Sequence, residues 1–140
     1  MTRINVVPVT TLTRAHLVAE YRELPRVFRL ALRAQARGMR WDDPGIPRRY
    51  TLGRGHVKFF YNKLGWCQTR FRALVREMQR RGYHPTYTAI DATVACQLDQ
   101  RWFGNWRPTV AARQMNQARI RERLRSRSTP ATTLQGRYTA

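Results

Sequence analysis

Residues 13–40 carry a helical repeat that constrains the fold class more than any other feature of the chain. Apolar or neutral side chains recur there at steps of three and four, so they lie on one face of an α-helix. Thr13 can cap the start of this helix, and Gly38 marks its exit. Pro25 should bend the helix or interrupt one backbone hydrogen bond. The side chains on this face form a stripe along the helix, made of Leu17, Tyr21, Leu24, Phe28, Ala31 and Gln35.

A second stripe on the same segment is made of arginine. Its members are Arg22, Arg26, Arg29, Arg33, Arg37 and Arg40. At 1.5 Å per residue they would line about 27 Å of helix. Like charges at this spacing repel by about 0.2–0.5 kcal/mol per pair. The stripe therefore predicts an anionic partner.

Two further helices complete the predicted fold. Residues 57–81 repeat apolar side chains at helical spacing, and Pro108 precedes a third helix that we expect to end near Arg125. Residues 41–56 indicate a loop, and the chain from Ser126 onward indicates a Ser/Thr/Arg-rich tail. The second helix would bury Phe60, Leu64, Cys67, Phe71, Leu74 and Met78. The sequence thus predicts an all-α fold, a compact single domain of three main helices with long connecting loops.

The charge balance indicates nucleic acid as the partner. The 140 residues include 27 Lys+Arg and 8 Asp+Glu, which gives a formal charge of +19. All the basic residues except Lys58 and Lys63 are arginine, whose planar fork binds phosphate at two points. A codon bias towards arginine would explain why arginine is used in place of lysine. It would explain the large net charge less well.

The chain offers no sign of a membrane segment or an export signal. No apolar run approaches the roughly 18 residues of a membrane span, and the first residues lack the apolar run of a signal peptide. Cys67 and Cys96 stand alone, which suits a reducing compartment. We expect a cytoplasmic protein, with both thiols inert.

Conventional catalytic and metal-binding motifs are lacking in the sequence. His16, His56 and His84 do not pair with each other or with carboxylates at ligand spacing, so no metal site is expected. No serine stands in a nucleophile elbow. Glu23 is unusual because it lies next to Arg22, within the basic stripe. From spacing alone, a salt bridge that relieves the stripe is the favoured interpretation.

Read as a whole, several segments closely resemble the pyrimidine dimer DNA glycosylase family, which includes phage endonuclease V. The similarity covers most of residues 2–125 in order. The segments that carry it are Met1-Thr-Arg-Ile-Asn5, His16-Leu-Val-Ala-Glu-Tyr-Arg-Glu-Leu-Pro-Arg-Val-Phe28, Leu52-Gly-Arg-Gly-His-Val-Lys-Phe-Phe-Tyr-Asn-Lys-Leu64, Gly104-Asn-Trp-Arg-Pro108 and Asn116-Gln-Ala-Arg119.

The resemblance implies a specific chemistry. After removal of Met1, the α-amino group of Thr2 would attack the sugar of a cyclobutane pyrimidine dimer in double-stranded DNA, displace the base and form a Schiff base. β-Elimination would then nick the strand, which makes the protein an N-glycosylase and AP lyase. An α-amine has a pKa near 7.7–8.0, so part of it is unprotonated at neutral pH. Glu23 would stabilise positive charge on the sugar and move protons. No metal or cofactor is implied.

The resemblance also implies how DNA is bound. Arg3, Arg22 and Arg26 match positions that hold phosphates flanking the lesion, and His16 matches a residue beside the site. Arg119 and Arg123 match a basic pair on the third helix. In the family the DNA is kinked and a base opposite the lesion leaves the stack. Residues 1–127 would form the catalytic domain and 128–140 its C-terminal tail, in a monomer that binds DNA carrying pyrimidine dimers or abasic sites.

Two departures from the family pattern concern lesion recognition, and two alternatives stay open. Arg14 and Ala15 replace a polar pair, and Tyr138 alone stands in place of an aromatic cluster in the tail. Trp102, Trp106 or Trp41 could substitute, although at least one of these should be buried in the core. One alternative is a glycosylase/lyase for other damaged or abasic sites. The other is a non-catalytic basic protein that binds nucleic acid.

Overall fold

The computed structural model describes the backbone of residues 4–139 and the side chains of residues 4–126. Along residues 4–139, five α-helices follow one another: α1 (Arg14–Ala36), α2 (His56–Phe59), α3 (Leu64–Arg80), α4 (Ala92–Ala95) and α5 (Val110–Thr139). Short 3₁₀ turns occupy Val9–Thr11, Phe60–Asn62 and Gln100–Trp102. Over the described residues, β-structure is limited to one isolated bridge between Lys63 and Phe103. The prediction of a compact all-α fold with three main helices is confirmed.

Helix α1 begins directly after Thr13, the residue that the sequence predicts as its N-terminal cap. The Oγ1 atom of Thr13 accepts a hydrogen bond from the backbone N–H of His16 at 3.2 Å. Pro25 has no N–H to donate, yet the helix continues through it from Arg14 to Ala36. It ends before Arg40, so the predicted end of the helix is wrong by one turn, because Gly38 takes a left-handed φ of 91°. The arginine stripe within the helix therefore stops at Arg33.

The second predicted helix is divided, and only its second part is long. Lys63 leaves helical conformation with φ −126° and ψ 37°, and its backbone pairs with Phe103. Gly65 allows the backbone around Phe103 to approach the start of α3, since a Cβ atom on Gly65 would lie 2.8 Å from the carbonyl oxygen of Phe103. The prediction of one helix over residues 57–81 is thus wrong at its start. Its six predicted core side chains are all buried.

Helices α1 and α3 pack against each other to form the core. Leu24 and Phe28 of α1 and Phe71 and Leu74 of α3 are each at most 1% exposed. Trp102 is also buried, as expected for at least one tryptophan. An aromatic cluster lies around the start of α3. It comprises Tyr50, Phe59, Phe60, Trp66 and Trp106, with ring centroids 5.0–6.2 Å apart.

Helix α5 extends beyond the point where the sequence predicts a tail. It runs from Val110 to Thr139 rather than ending near Arg125. The expected tail is rich in Ser and Thr, but it also contains Ala, Leu, Gln and Arg, which are good helix formers. Adding residues to an existing helix costs far less than nucleating one. None of the described helices combines the length and apolar character that a bilayer crossing requires.

Candidate active site

The N-terminal segment Ile4–Val7 is buried and held by three surrounding elements. Each of its four residues is at most 2% exposed. The N–H of Ile4 donates to Nε2 of His56 at 3.1 Å. The N–H groups of Val6 and Val7 donate to Oδ1 of Asn116 on α5, at 2.7 and 3.3 Å. The chain is therefore fixed immediately after Thr2 and Arg3, which lie outside the described residues.

A buried polar network joins this segment to α1 and α3. Glu20 is 1% exposed and accepts two hydrogen bonds from Arg70, at 2.7 and 3.0 Å. It also accepts a hydrogen bond from Nδ2 of Asn5 at 3.0 Å. Arg70 donates in turn to the carbonyl of Val7. Because a buried charge without its partner costs about 3–5 kcal/mol, this network strongly resists rearrangement.

His56 is held in its neutral form by the two bonds of its ring. Its Nδ1 lies 2.8 Å from the carbonyl oxygen of Thr51, to which it donates, and this leaves Nε2 free to accept from Ile4. Burial lowers the pKa of His56 from its ordinary value. The lowered pKa favours the neutral ring, and the bond to Thr51 selects the tautomer whose Nε2 can accept from Ile4.

Glu23 and the arginines next to it lie on the outer side of α1. The side chain of Glu23 is 29% exposed, and its Oε2 atom lies 3.3 Å from Nη1 of Arg26. The salt bridge that spacing alone favours is thus present. Arg22 is exposed beside them. A partly exposed ion pair of this kind is worth about 0–1 kcal/mol, so both groups can exchange it for a substrate contact at little cost.

His16 lies seven residues before Glu23, which is two helical turns on the same side of α1. It is half-buried, and its Nδ1 atom lies 2.8 Å from Oγ1 of Thr13. Helix α1 thus carries His16, Arg22, Glu23 and Arg26 along one stretch. These are the predicted site residues that the structure brings together.

A cleft of about 720 Å³ lies along α1 beside this stretch. Its helical wall includes Arg22 and Arg26. Tyr21, also in the lining, stacks on Phe71 with ring centroids 5.5 Å apart. The hydroxyl of Tyr21 accepts from the N–H of Tyr87 and donates to its carbonyl, both at 2.8 Å. Aromatic rings beside guanidinium groups suit a nucleobase with its phosphates.

Arg119 and Arg123 lie on α5, on the other side of the N-terminal segment. Arg119 is one-quarter exposed, and its Nε atom lies 3.7 Å from Glu122. It follows Asn116 by three residues, and Asn116 accepts from the N–H groups of Val6 and Val7. Arg123 is exposed. The structure therefore places Arg119 near the anchor of the N-terminal segment and Arg123 further out.

The sequence did not single out the residues that hold the N-terminal segment. Glu20 carries a usable signal, because it stands three residues after Leu17 and four before Leu24, in a core-facing position where an unpaired carboxylate is rare. Asn5 and Asn116 carry no such signal. These two residues bond to each other across 111 positions of the chain.

Other reactive groups do not form a site in the described part of the chain. No group of three or more His, Cys, Asp or Glu residues able to hold a metal ion occurs there. Cys67 is buried, and burial raises the pKa of its thiol. Cys96 is exposed.

The exposed arginines of α1 and the aromatic cleft beside them form a surface suited to a ligand that carries phosphates. A family model described as pyrimidine dimer DNA glycosylase matches residues 1–91, more than half of the 140 residues. The chain belongs to this pyrimidine dimer DNA glycosylase family. Family membership makes it a DNA repair glycosylase, and its substrate is DNA. The match spans the buried N-terminal segment, α1, α2 and α3, but not Arg119 or Arg123.

Proposed function

We propose that the protein is a bifunctional N-glycosylase and AP lyase that excises cyclobutane pyrimidine dimers from double-stranded DNA. The α-amine of Thr2, exposed by removal of Met1, is the nucleophile. The observation that carries this proposal is the anchoring of residues 4–7 beside α1. Two residues span at most about 7 Å, so Thr2 lies within that distance of the fixed Ile4. Asn5 bonds to Glu20, and Glu23 follows about 4.5 Å further along the helix axis.

The proposed chemistry proceeds in two steps. The lone pair of the amine forms a bond to C1′ of the sugar, and the glycosidic bond breaks with its electrons moving to the base, which is protonated. One amine proton passes to the ring oxygen O4′ as the C1′–O4′ bond breaks and the sugar ring opens, and the resulting iminium loses the second proton to a base to give the imine. A base then removes a C2′ proton, the 3′ phosphate leaves, and water finally hydrolyses the imine. A covalent intermediate replaces one difficult step by easier ones.

Glu23 serves both steps in this proposal. Its carboxylate stabilises the positive charge that develops on the sugar and accepts the C2′ proton during elimination. Neighbouring guanidinium groups lower the pKa of an amine, because they disfavour its charged form. The arginine-rich face therefore helps to keep the nucleophile unprotonated.

The same surface would bind the damaged duplex. Arg3, Arg22 and Arg26 hold the phosphates around the lesion, and His16 lies beside the reacting sugar. The cleft along α1 takes the base that leaves the stack, with Tyr21 as an aromatic neighbour. Stacking of this kind is worth about 1–3 kcal/mol per base, which offsets the unstacking of a damaged site. We expect the protein to act as a monomer in the cytoplasm, on DNA that carries dimers or abasic sites.

Replacement of one carboxylate tests the proposal. Glu23→Gln should abolish nicking of dimer-containing DNA while DNA affinity changes by less than about threefold, because the substitution preserves shape and removes the charge that chemistry needs. Asp42→Asn is the matched control, since Asp42 is also an exposed carboxylate paired with an arginine, Arg40, at 3.0 Å. Nicking by Glu23→Gln at the wild-type rate would overturn the proposal.

A panel of duplexes separates the two alternatives. Activity on oxidised, ring-opened or abasic sites but not on dimers would indicate the same chemistry with another lesion range. Such a result would be attributed to the missing aromatic cluster, for which Tyr138 alone remains. Absence of nicking on every duplex would indicate a non-catalytic protein that binds nucleic acid.

A further inference from the structure

Tyr87 is the only exposed aromatic side chain among residues 4–126. It is 70% exposed, whereas the other aromatic rings in this part of the chain are buried or half-buried. Single exposed aromatic residues are common on protein surfaces, so exposure alone assigns no role. The position of Tyr87 is more informative, because this residue lines the cleft along α1. The lining comes from α1, from Phe71 of α3 and from residues 86–91, the segment that contains Tyr87.

The backbone that carries Tyr87 is held in place on both sides. The N–H of Tyr87 donates to the hydroxyl of Tyr21, and this hydroxyl donates to the carbonyl oxygen of Tyr87, both at 2.8 Å. Tyr21 stacks on the buried ring of Phe71, which fixes the hydroxyl relative to the core. Four residues later, Oδ1 of Asp91 accepts from the N–H and the hydroxyl of Thr93, at 2.9 and 2.7 Å. The exposed ring therefore extends from a fixed backbone, which lowers the entropy lost when it binds a ligand.

The charges of the cleft differ between its two ends. Arg22 and Arg26 are exposed at one end. Arg29 lies two helical turns from Arg22, on the side of Asp91. Hydrogen bonds from Thr93 and the charge of Arg29 hold the pKa of Asp91 below its usual range, so this carboxyl is ionised and partly balances Arg29. A phosphate is therefore favoured at the end of Arg22 and disfavoured near Asp91.

This arrangement indicates the class of ligand that the cleft fits. Its volume of about 720 Å³ lies within the range of about 300–1,000 Å³ that is usual for small organic ligands. A ligand with a phosphate at one end and a flat, uncharged ring at the other matches the charges and the position of Tyr87. A nucleotide turned out of a duplex has this form, and its base can stack on an aromatic side chain.

The base opposite the lesion is the one that we expect to leave the duplex. The two bases of a dimer are joined covalently, so neither can turn out of the stack alone. A base that faces a damaged and weakly paired nucleotide loses less on leaving the stack than a base in an intact pair.

We propose that the ring of Tyr87 stacks on the base opposite the lesion when that base occupies the cleft, and that this contact makes binding depend on the size of the base. This inference rests on the proposed function, in which the cleft takes the base that leaves the stack. It supplies an aromatic contact for lesion recognition in a chain whose tail retains only Tyr138. Of the tryptophans considered as substitutes, Trp102 is buried and none lines the cleft.

A double-mutant cycle between protein and DNA tests the inference. The proteins carry Glu23→Gln, so that dimer-containing DNA is bound and not cut. The duplexes have either adenines or three-carbon spacers opposite the dimer, and a spacer offers no base to stack on and no sugar to attack. Tyr87→Ala should weaken binding about 5- to 140-fold on the adenine duplex, the range for loss of one base–aromatic stack. On the spacer duplex the change should be less than about twofold.

Further substitutions separate stacking from simple bulk. Tyr87→Phe should bind like the wild type, because it keeps the aromatic face. Tyr87→Leu keeps an apolar side chain without that face, so its binding should stay weak. The loss in Tyr87→Ala should be larger with a purine opposite the dimer than with a pyrimidine, because a purine has the larger face. Thermal unfolding should be unchanged in Tyr87→Ala, since the side chain is mostly exposed and its backbone makes the bonds to Tyr21.

His84→Ala is the matched control. His84 is an exposed ring on the same connection between α3 and α4, and it does not line the cleft. Equal weakening by His84→Ala, or unchanged binding in Tyr87→Ala, overturns the inference. Equal losses on the adenine and spacer duplexes also overturn it, because they would show that the ring contacts another part of the DNA.

NMR of the tyrosine rings measures the stacking directly. Protons that lie over the face of a base are shifted upfield by its ring current. The ring signals of Tyr87, assigned with Tyr87→Phe, should therefore move upfield on addition of the adenine duplex and much less with the spacer duplex. Equal shifts with both duplexes would contradict a stack on the opposite base.

Failure of this inference is distinguishable from failure of the proposed function. Nicking of dimer-containing DNA by the wild type, together with equal binding of Tyr87→Ala and its parent, rejects the stack and leaves the catalytic proposal intact. A base-dependent loss of binding in Tyr87→Ala, when the protein with Glu23 nicks no duplex, supports the stack and rejects the chemistry.

Discussion

At the scale of single residues, two carboxylates on α1 differ sharply in their surroundings. Glu20 and Glu23 are three residues apart, yet Glu20 is 1% exposed and fully occupied by Arg70 and Asn5. Glu23 is partly exposed and holds only a weak ion pair with Arg26. Because Glu20 has no accessible lone pair to offer, Glu23 is the carboxylate available to a substrate.

His56 makes the N-terminal anchor dependent on pH. Burial lowers its pKa in the folded protein, so below about pH 6.5 the unfolded chain takes up a proton that the folded chain resists. The stability that neutral His56 contributes is therefore present above about pH 6.5 and is lost as the pH falls below it. Protonation of Nε2 would also remove the acceptor for the N–H of Ile4.

NMR titration of the imidazole signals, with unfolding midpoints measured between pH 5 and 8, checks this prediction. His56 should titrate below 6.5, the usual value for histidine. The midpoint of the wild type should fall towards pH 5 more steeply than that of His56→Gln, which cannot titrate. A His56 pKa at or above 6.5 would show that the anchor does not respond to pH in this way.

At the scale of elements, the sequence predicted the features that depend on residues close together in the chain. The stripes of α1 and α3 identified their buried faces, because a single helix face determines which side chains meet the core. The break at Lys63 was not predictable, because it depends on pairing with Phe103, forty residues later. The buried network around Glu20 and Asn116 escaped prediction for the same reason: its members come from distant parts of the chain.

Asn116 links α5 to the N-terminal segment, so its loss should affect both stability and chemistry. Asn116→Ala leaves two buried N–H groups, those of Val6 and Val7, without an acceptor, at a cost of about 1–3 kcal/mol each. We also expect a lower kcat with KM nearly unchanged, because the nucleophile is less well positioned while the DNA-binding surface remains.

Urea unfolding and single-turnover nicking measure the two effects of Asn116→Ala. Gln117→Ala is the control, since Gln117 is the exposed neighbour on the same helix. A folded Asn116→Ala protein that nicks dimer-containing DNA at the wild-type rate would show that the anchor does not position the nucleophile.

At the scale of the whole molecule, the charge and the fold contribute separately to the proposed function. A net charge of +19 is spread over the chain, while the buried N-terminal segment lies among α1, α3 and α5. The general positive field attracts DNA. In the proposed mechanism, the anchored segment would present the α-amine of Thr2 to the sugar. Charge alone indicated a polyanionic partner. The resemblance of several sequence segments to the glycosylase family predicted an enzyme, and the family match supports glycosylase activity.

Borohydride trapping tests this central claim most directly. Sodium borohydride reduces an imine between protein and DNA to a stable covalent bond, so the Met-processed protein should give an adduct on a duplex with a single cyclobutane pyrimidine dimer. Undamaged and abasic duplexes are run alongside. We predict an adduct on dimer DNA that disappears when the N-terminal amine is blocked. An adduct that survives blocking, or no adduct on any duplex, would contradict the assignment of Thr2 as the nucleophile.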